Sequence, residues 1–158
     1  MIQRPAASII LLFMLFFVFG CDPSRVFEEN KNLKNNEWDQ HTPLVFQVPV
    51  TDTSIAYTVY INIRNAGFYR FSNLYLFINT GFPGGQIQRD TLECILAAPD
   101  GRWLGEGLGD IWDNNILFKN DVRFPQKGEY RFELIQAMRT NPLPGIMDAG
   151  IRIEKASQ

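Results

Sequence analysis

The stretch "APDGRWLGEGLGDIWDNN", Ala98 to Asn115, gathers four glycines, two tryptophans and four carboxylates. Four kinds of chemistry use such residues. A phosphate cradle needs a Walker or dinucleotide spacing that leads into a helix. Here Gly105, Gly107 and Gly109 recur at every second residue, with no Gly-Lys-Ser/Thr and no helical pattern behind them. A calcium loop would draw oxygens from Asp100, Glu106, Asp110 and Asp113, but their spacing is not that of a calcium-binding loop. Trp103 and Trp112 offer flat rings on which a sugar could stack. The plainest reading is structural: Trp103 and Leu104 plug one end of the fold while the glycines let backbones pass closely. We therefore take Trp103, Gly105, Gly107, Asp110 and Trp112 as the candidate partner- or ligand-binding loop, with no metal and no cofactor assigned.

Catalytic constellations are missing from the sequence. There is no GxSxG, no HExxH and no Cys/His cluster. Cys94 alternates with Leu92 and Leu96 and reads as a small apolar core residue; the only histidine, His41, lies far away in a polar segment. Glu93 and Glu133 have no evident carboxylate partner. Arg139 and Arg152 read as surface or inter-strand pairing residues. No catalytic residue is assigned.

The elements that must position the loop have period two. "LVFQVPV" puts Leu44, Phe46, Val48 and Val50 on one face, with Pro49 marking an edge strand. "IAYTVYINIRN" turns Ile55, Tyr57, Val59, Ile61 and Ile63 inward. "NLYLFINT", "DTLECILAA", "NNILFKNDVRFP", "GEYRFELIQAMR" and "GIRIEK" follow as further strands. No segment shows a helical stripe. The expectation is an all-β fold: an antiparallel β-sandwich, jelly-roll or immunoglobulin-like, over residues 44–158.

The N-terminus reads differently. Arg4 precedes "IILLFMLFFVF", Ile9 to Phe19, a run too short to span a bilayer but suited to a signal-peptide core. It ends in "VFGC", the lipoprotein cleavage pattern, although Phe19 is bulkier than the small residue usual there. Residues 1–20 are thus expected to be a signal peptide cleaved after Gly20, leaving Cys21 as the lipid-bearing residue. Loss of Arg4, the only charge before Cys21, takes the formal charge from −2 to −3. Residues 21–43 are polar and read as a tether, with a short helical turn near Val26–Asn32 and Trp38 at the domain edge. The 158 residues suffice for one domain, their 46% hydrophobic content supports a core, and no basic run suits nucleic acid.

Taken together, the lipobox at Cys21 and the segments "NLYLFINT", "DTLECILAAPDGRWLGEGLGDIWDN", "VRFPQKGEYRFELIQAMR" and "LPGIMDAGIRIEK" resemble the GldH family of gliding-motility lipoproteins, from Val45 to Lys155. The resemblance implies a cell-envelope lipoprotein of the gliding and type IX secretion-associated machinery, with no enzyme activity and no catalytic residues to carry over. The implied partners are the membrane, through the lipid on Cys21, and other envelope lipoproteins. The implied location is the periplasm-facing leaflet rather than the cell surface. A lipid-anchored carbohydrate-binding module using Trp38, Trp103 and Trp112 is the alternative, with a glycan as its ligand; a hydrolase is the weakest third.

Overall fold

The computed structural model describes residues 22–156; the expected signal peptide, its cleavage point at Gly20 and Cys21 lie outside them. Eleven strands follow in order: β1 (Arg25–Asn32), β2 (Glu37–Trp38), β3 (Leu44–Val50), β4 (Tyr57–Ala66), β5 (Asn73–Gly81), β6 (Ile87–Ile95), β7 (Glu106–Leu108), β8 (Ile111–Val122), β9 (Gly128–Gln136), β10 (Leu143–Pro144) and β11 (Ile146–Lys155). They form a five-stranded sheet, β1-β11-β4-β8-β7, a four-stranded sheet, β3-β9-β5-β6, and the small pair β10-β2. Every pairing is antiparallel.

The strand order separates the two expected topologies. Setting aside the short β2, β7 and β10 leaves eight strands. The first, eighth, third and sixth make one sheet; the second, seventh, fourth and fifth make the other. That is the jelly-roll arrangement, two Greek keys wound together, rather than the immunoglobulin one.

Period-two alternation builds the core as anticipated. Tyr57, Val59, Ile61 and Ile63 of β4 and Ile151 and Ile153 of β11 face Phe46, Val48, Leu74, Leu76, Ile78, Tyr130 and Leu134 of the other sheet in one buried cluster. Tyr57, Phe124 and Tyr130 stack at one end, with ring centroids 5.3 and 4.7 Å apart. Pro49 lies on an edge strand, where its missing N–H weakens the ladder least. Cys94 is fully buried, and burial pushes its thiol up to about 12, so it stays protonated at neutral pH.

Three expectations need correction. The segment expected as a tether with a helical turn is a strand: Phe27 to Asn32 pair residue by residue with Ile153 to Asp148, and Phe27 packs against the core. The domain therefore begins at β1, not at Leu44. β1 escaped the alternation test because it is peripheral and carries only two apolar side chains, Val26 and Phe27. Trp38 is not at the domain edge but wholly enclosed, on β2 opposite Leu143. Its indole Nε1 finds no partner among the described residues, so its ring is held by packing alone. Leu104 does not plug the sandwich; it is half exposed.

Because the last strand is inserted between the first and the third, β11 loses one of its two neighbours if β1 is missing. Expressed from Leu44 onward, the chain will fail to give a cooperative thermal transition, whereas removal of residues 1–21 alone will leave one intact. Melts followed by circular dichroism check this. A cooperative melt of the shorter chain would restore the tether reading.

Candidate functional site

The glycine-rich stretch is a β-hairpin on the rim of the five-stranded sheet. Glu106, Gly107 and Leu108 pair with Asp113, Trp112 and Ile111. Gly109 and Asp110 form the two-residue turn between them. Gly109 has φ +66°, the conformation that a tight hairpin asks of its first turn residue. The other two glycines are required by proximity. A Cβ on Gly105 would meet the backbone oxygen of Asp113 at 2.5 Å, and one on Gly107 would enter the Trp112 ring. Asp110 ties the turn down, its carbonyl accepting from the Gly67 N–H at 2.7 Å.

The two tryptophans act apart. Trp103, half-buried, packs on the core edge with its ring 6.5 Å from that of Tyr69. Trp112 covers Gly107 from the facing strand. Trp38, the third ring of the sugar-stacking alternative, is buried and cannot meet a ligand.

A second feature emerges only in three dimensions. The outer face of the five-stranded sheet carries an open groove of about 730 Å³ that runs from Glu28 on β1 to Glu106 on β7. Of the candidate loop residues, only Gly105 lines it. Register makes this face: Asn30, Gly150, Asn62 and Asn115 lie abreast on β1, β11, β4 and β8. Asn115 Nδ2 donates to Asn62 Oδ1 at 2.8 Å, and Asn62 Nδ2 donates to Asn30 Oδ1 at 3.1 Å. This last bond passes over Gly150, where a Cβ would collide with Asn30.

Ion-pair clusters flank the asparagine row. On one side Arg64 binds Asp113 at 2.6 Å and Asp148 at 3.0 Å. On the other, Arg152 binds Asp22 at 2.5 Å, Glu154 at 2.5 Å and Glu28 at 3.4 Å. Five carboxylates line the groove against two guanidinium groups, so its field is negative. Burial opposes the charge on Glu28, but hydrogen bonds from Arg25 and Asn62 and the charge of Arg152 hold its carboxyl below the ordinary value. Asp148 goes the other way. Burial raises it more than Arg64 lowers it, and Asp113 adds to the rise.

Sequence reasoning missed this groove, though one signal was present. Asparagine is depleted from strands, yet Asn30, Asn62 and Asn115 occupy outward strand positions. The face is chemically suited to hydrogen bonding. Among the described residues no three His, Cys, Asp or Glu side chains converge as a metal site would require. His41 is exposed beside Asp39, whereas Cys94 is buried.

Two predictions follow from this geometry. Gly105→Ala will cost about 2 kcal/mol, because backbone must move; Gly109→Ala will cost about 1 kcal/mol, from its positive φ alone. Urea titrations that gave the reverse order would place the constraint in the turn. The folded state binds a proton at Asp148 more tightly than the unfolded chain does. Stability contributed there is present at low pH and falls as pH rises from about 4 through the raised value. Asp148→Asn will flatten that fall and cost little at pH 7, since Arg64 keeps Asp113. A large loss at pH 7 would mean that the Arg64 attraction outweighs burial.

The profile of the GldH lipoprotein family matches residues 25–153, from the start of β1 almost to the end of β11. A "Gliding motility lipoprotein GldH homolog" of Christiangramia forsetii is 37% identical over 98% of this chain and 99% of its own length. The "Gliding motility lipoprotein GldH" of Flavobacterium johnsoniae is also 37% identical, over 97% of this chain and 99% of its own length. A match of that extent, with β1 inside it, makes the chain a member of the GldH lipoprotein family.

Proposed function

We propose that this protein is a lipid-anchored component of the gliding-motility machinery, associated with type IX secretion, that works by binding rather than by catalysis. The observation carrying this is end-to-end similarity to GldH lipoproteins in both directions. The outer face of the five-stranded sheet, rich in hydrogen-bonding groups, supports a recognition role. Its partners are other envelope lipoproteins, and the loop of Trp103, Gly105, Gly107, Asp110 and Trp112 serves chiefly to close the rim beside that face.

The anchor is Cys21, acylated after cleavage behind Gly20, in the periplasm-facing leaflet. Several acyl chains, each CH₂ contributing about 0.8 kcal/mol, hold such a protein stably. Asp22 accepts from Ser24 and pairs with Arg152, and β1 starts at Arg25. Only a short turn thus separates the anchor from the sandwich, and the domain rides close to the lipid surface instead of standing off on a long tether.

A glycan is the second reading. The specific observation favouring it is the asparagine row, whose amides both donate and accept as sugar hydroxyls require. Glycan arrays probed with the detergent-solubilised chain separate the two readings.

In a gliding host, Cys21→Ser will move the protein from the membrane pellet to the soluble fraction and abolish colony spreading, with its melting temperature unchanged. Retention in the pellet after a salt wash would refute the lipid anchor. A deletion that left gliding, secretion and envelope integrity unaltered would refute the machinery role.

A further inference from the structure

Each sheet of a sandwich has two edges, and exposed edges invite pairing unless they are blunted. Three of the four edges here are blunted. β3 carries Pro49. β1 has an irregular register between Arg25 and Phe27, and Lys31 reaches across it to the Val45 carbonyl of β3. β7 is only three residues long, and past Asp113 the edge passes to β8, whose far half is irregular, with two breaks in its register to β4 and a positive φ at Asp121. The fourth edge, β6, differs. It runs nine residues, Ile87 to Ile95, with unbroken register to β5 and no proline. Past Ile95 the segment Arg102–Leu104 covers the edge, Leu104 N–H donating to the Leu96 carbonyl at 2.9 Å.

The hydrogen-bond phase of β6 is fixed by its hairpin. The Phe82 N–H donates to the Gln86 carbonyl at 2.8 Å, so Phe82 and Gln86 form a bonded pair. In an antiparallel ladder bonded pairs alternate. Gln88, Asp90, Leu92 and Cys94 therefore point their backbone groups at β5. Ile87, Arg89, Thr91, Glu93 and Ile95 point theirs at the open edge, and their side chains lie on the exposed outer face of the sheet.

Those five residues read Ile-Arg-Thr-Glu-Ile. The order is self-complementary. We propose that β6 is a dimerisation edge, pairing antiparallel with β6 of a second copy about a two-fold axis at Thr91. This register sets Ile87 opposite the partner's Ile95, Arg89 opposite the partner's Glu93, and Thr91 opposite the partner's Thr91. All of these are positions whose backbone groups point away from β5 at the open edge of the described sheet. Each Arg–Glu pair occurs twice by symmetry. Neighbouring registers are penalised: centring on Arg89, Asp90 or Glu93 brings like charges face to face, which is destabilising. Arg89 has no carboxylate in ion-pair range among the described residues and instead lies over the Phe77 ring, 4.2 Å from its centroid. Asp90 faces away and is engaged by Lys119 at 2.9 Å. The product is one continuous eight-stranded sheet across two sandwiches; each asparagine row lies on the other sheet, and its groove meets the new seam only at the β7 end, where Ile95 also lines it.

The test uses the full, lipidated chain. In isolated membranes treated with a mild oxidant, Thr91→Cys will form a disulfide-linked dimer. Ile87→Cys will not, although Ile87 is 74% exposed, because the axis separates the two copies of residue 87. In detergent, sedimentation will show Arg89→Glu and Glu93→Arg each weakening self-association by about tenfold or more, and the double reversal restoring it. Equal cross-linking of the two cysteine variants, a wild-type chain that stays monomeric to about 100 µM, or a double reversal without recovery would each overturn the proposal.

Discussion

The fold rests on the insertion of β11 between β1 and β4. This one strand joins the two ends of the described chain: Phe27 pairs with Ile153, and Ile153 in turn lies beside Val59. The inner face of β11 supplies Ala149, Ile151 and Ile153 to the core. Its outer face supplies Asp148, Arg152 and Glu154 to the groove. Core and groove are thus two sides of the same ladder, and neither assembles before the last residues are in place. Loop-closure entropy opposes such distant pairing, so it is the buried apolar surface of the sandwich that must offset it.

How legible this was depended on where each residue sends its free energy. β3, β4, β5, β9 and the second half of β11 alternate because one face meets the core, and their inward residues could be named from spacing. β1 was hidden because it is stabilised by backbone pairing and by polar contacts such as Asn62 to Glu28 at 3.0 Å, neither of which leaves an apolar period. The start of β8, "IWD", falls in the stretch expected as a loop for a similar reason: Asp113 faces the groove beside Arg64, and no apolar period runs through it. Trp38 looked peripheral because its strand is two residues long, and only the fold brings Leu143 over it.

The glycine-rich stretch was legible only at its turn. Its turn chemistry was visible, since Gly-Asp between Leu108 and Ile111 is a hairpin signature. The reason for Gly105 and Gly107 was not, because the atoms they avoid belong to Asp113, Asn114 and Trp112 on the returning strand. The groove was less legible still. Arg152 meets Glu28 from 124 residues away, and no local pattern encodes that meeting. The only trace in the sequence was an excess of asparagine where β-branched residues would serve a strand better.

The charges on the groove narrow what can occupy it. Arg64 and Arg152 are already held by carboxylates, so neither presents an uncommitted guanidinium to a ligand. The carboxylates outnumber them, and a phosphate or other polyanion entering the groove would meet repulsion before it met a donor. The asparagines between the clusters are uncharged and bonded chiefly to one another, and each of these bonds can be exchanged for one to a ligand at small net change. In the proposed binding role, recognition on this face would come from the matching of many neutral donors and acceptors. Such binding is less sensitive to salt than an ion-paired interface, because screening acts on exposed charges beyond about 8–10 Å and scarcely on hydrogen bonds in contact. The same negative field lies next to Asp22, at the chain's entry to the sheet. An anionic lipid surface would therefore repel this face rather than mask it, so that in the proposed anchoring the groove would stay open to a ligand.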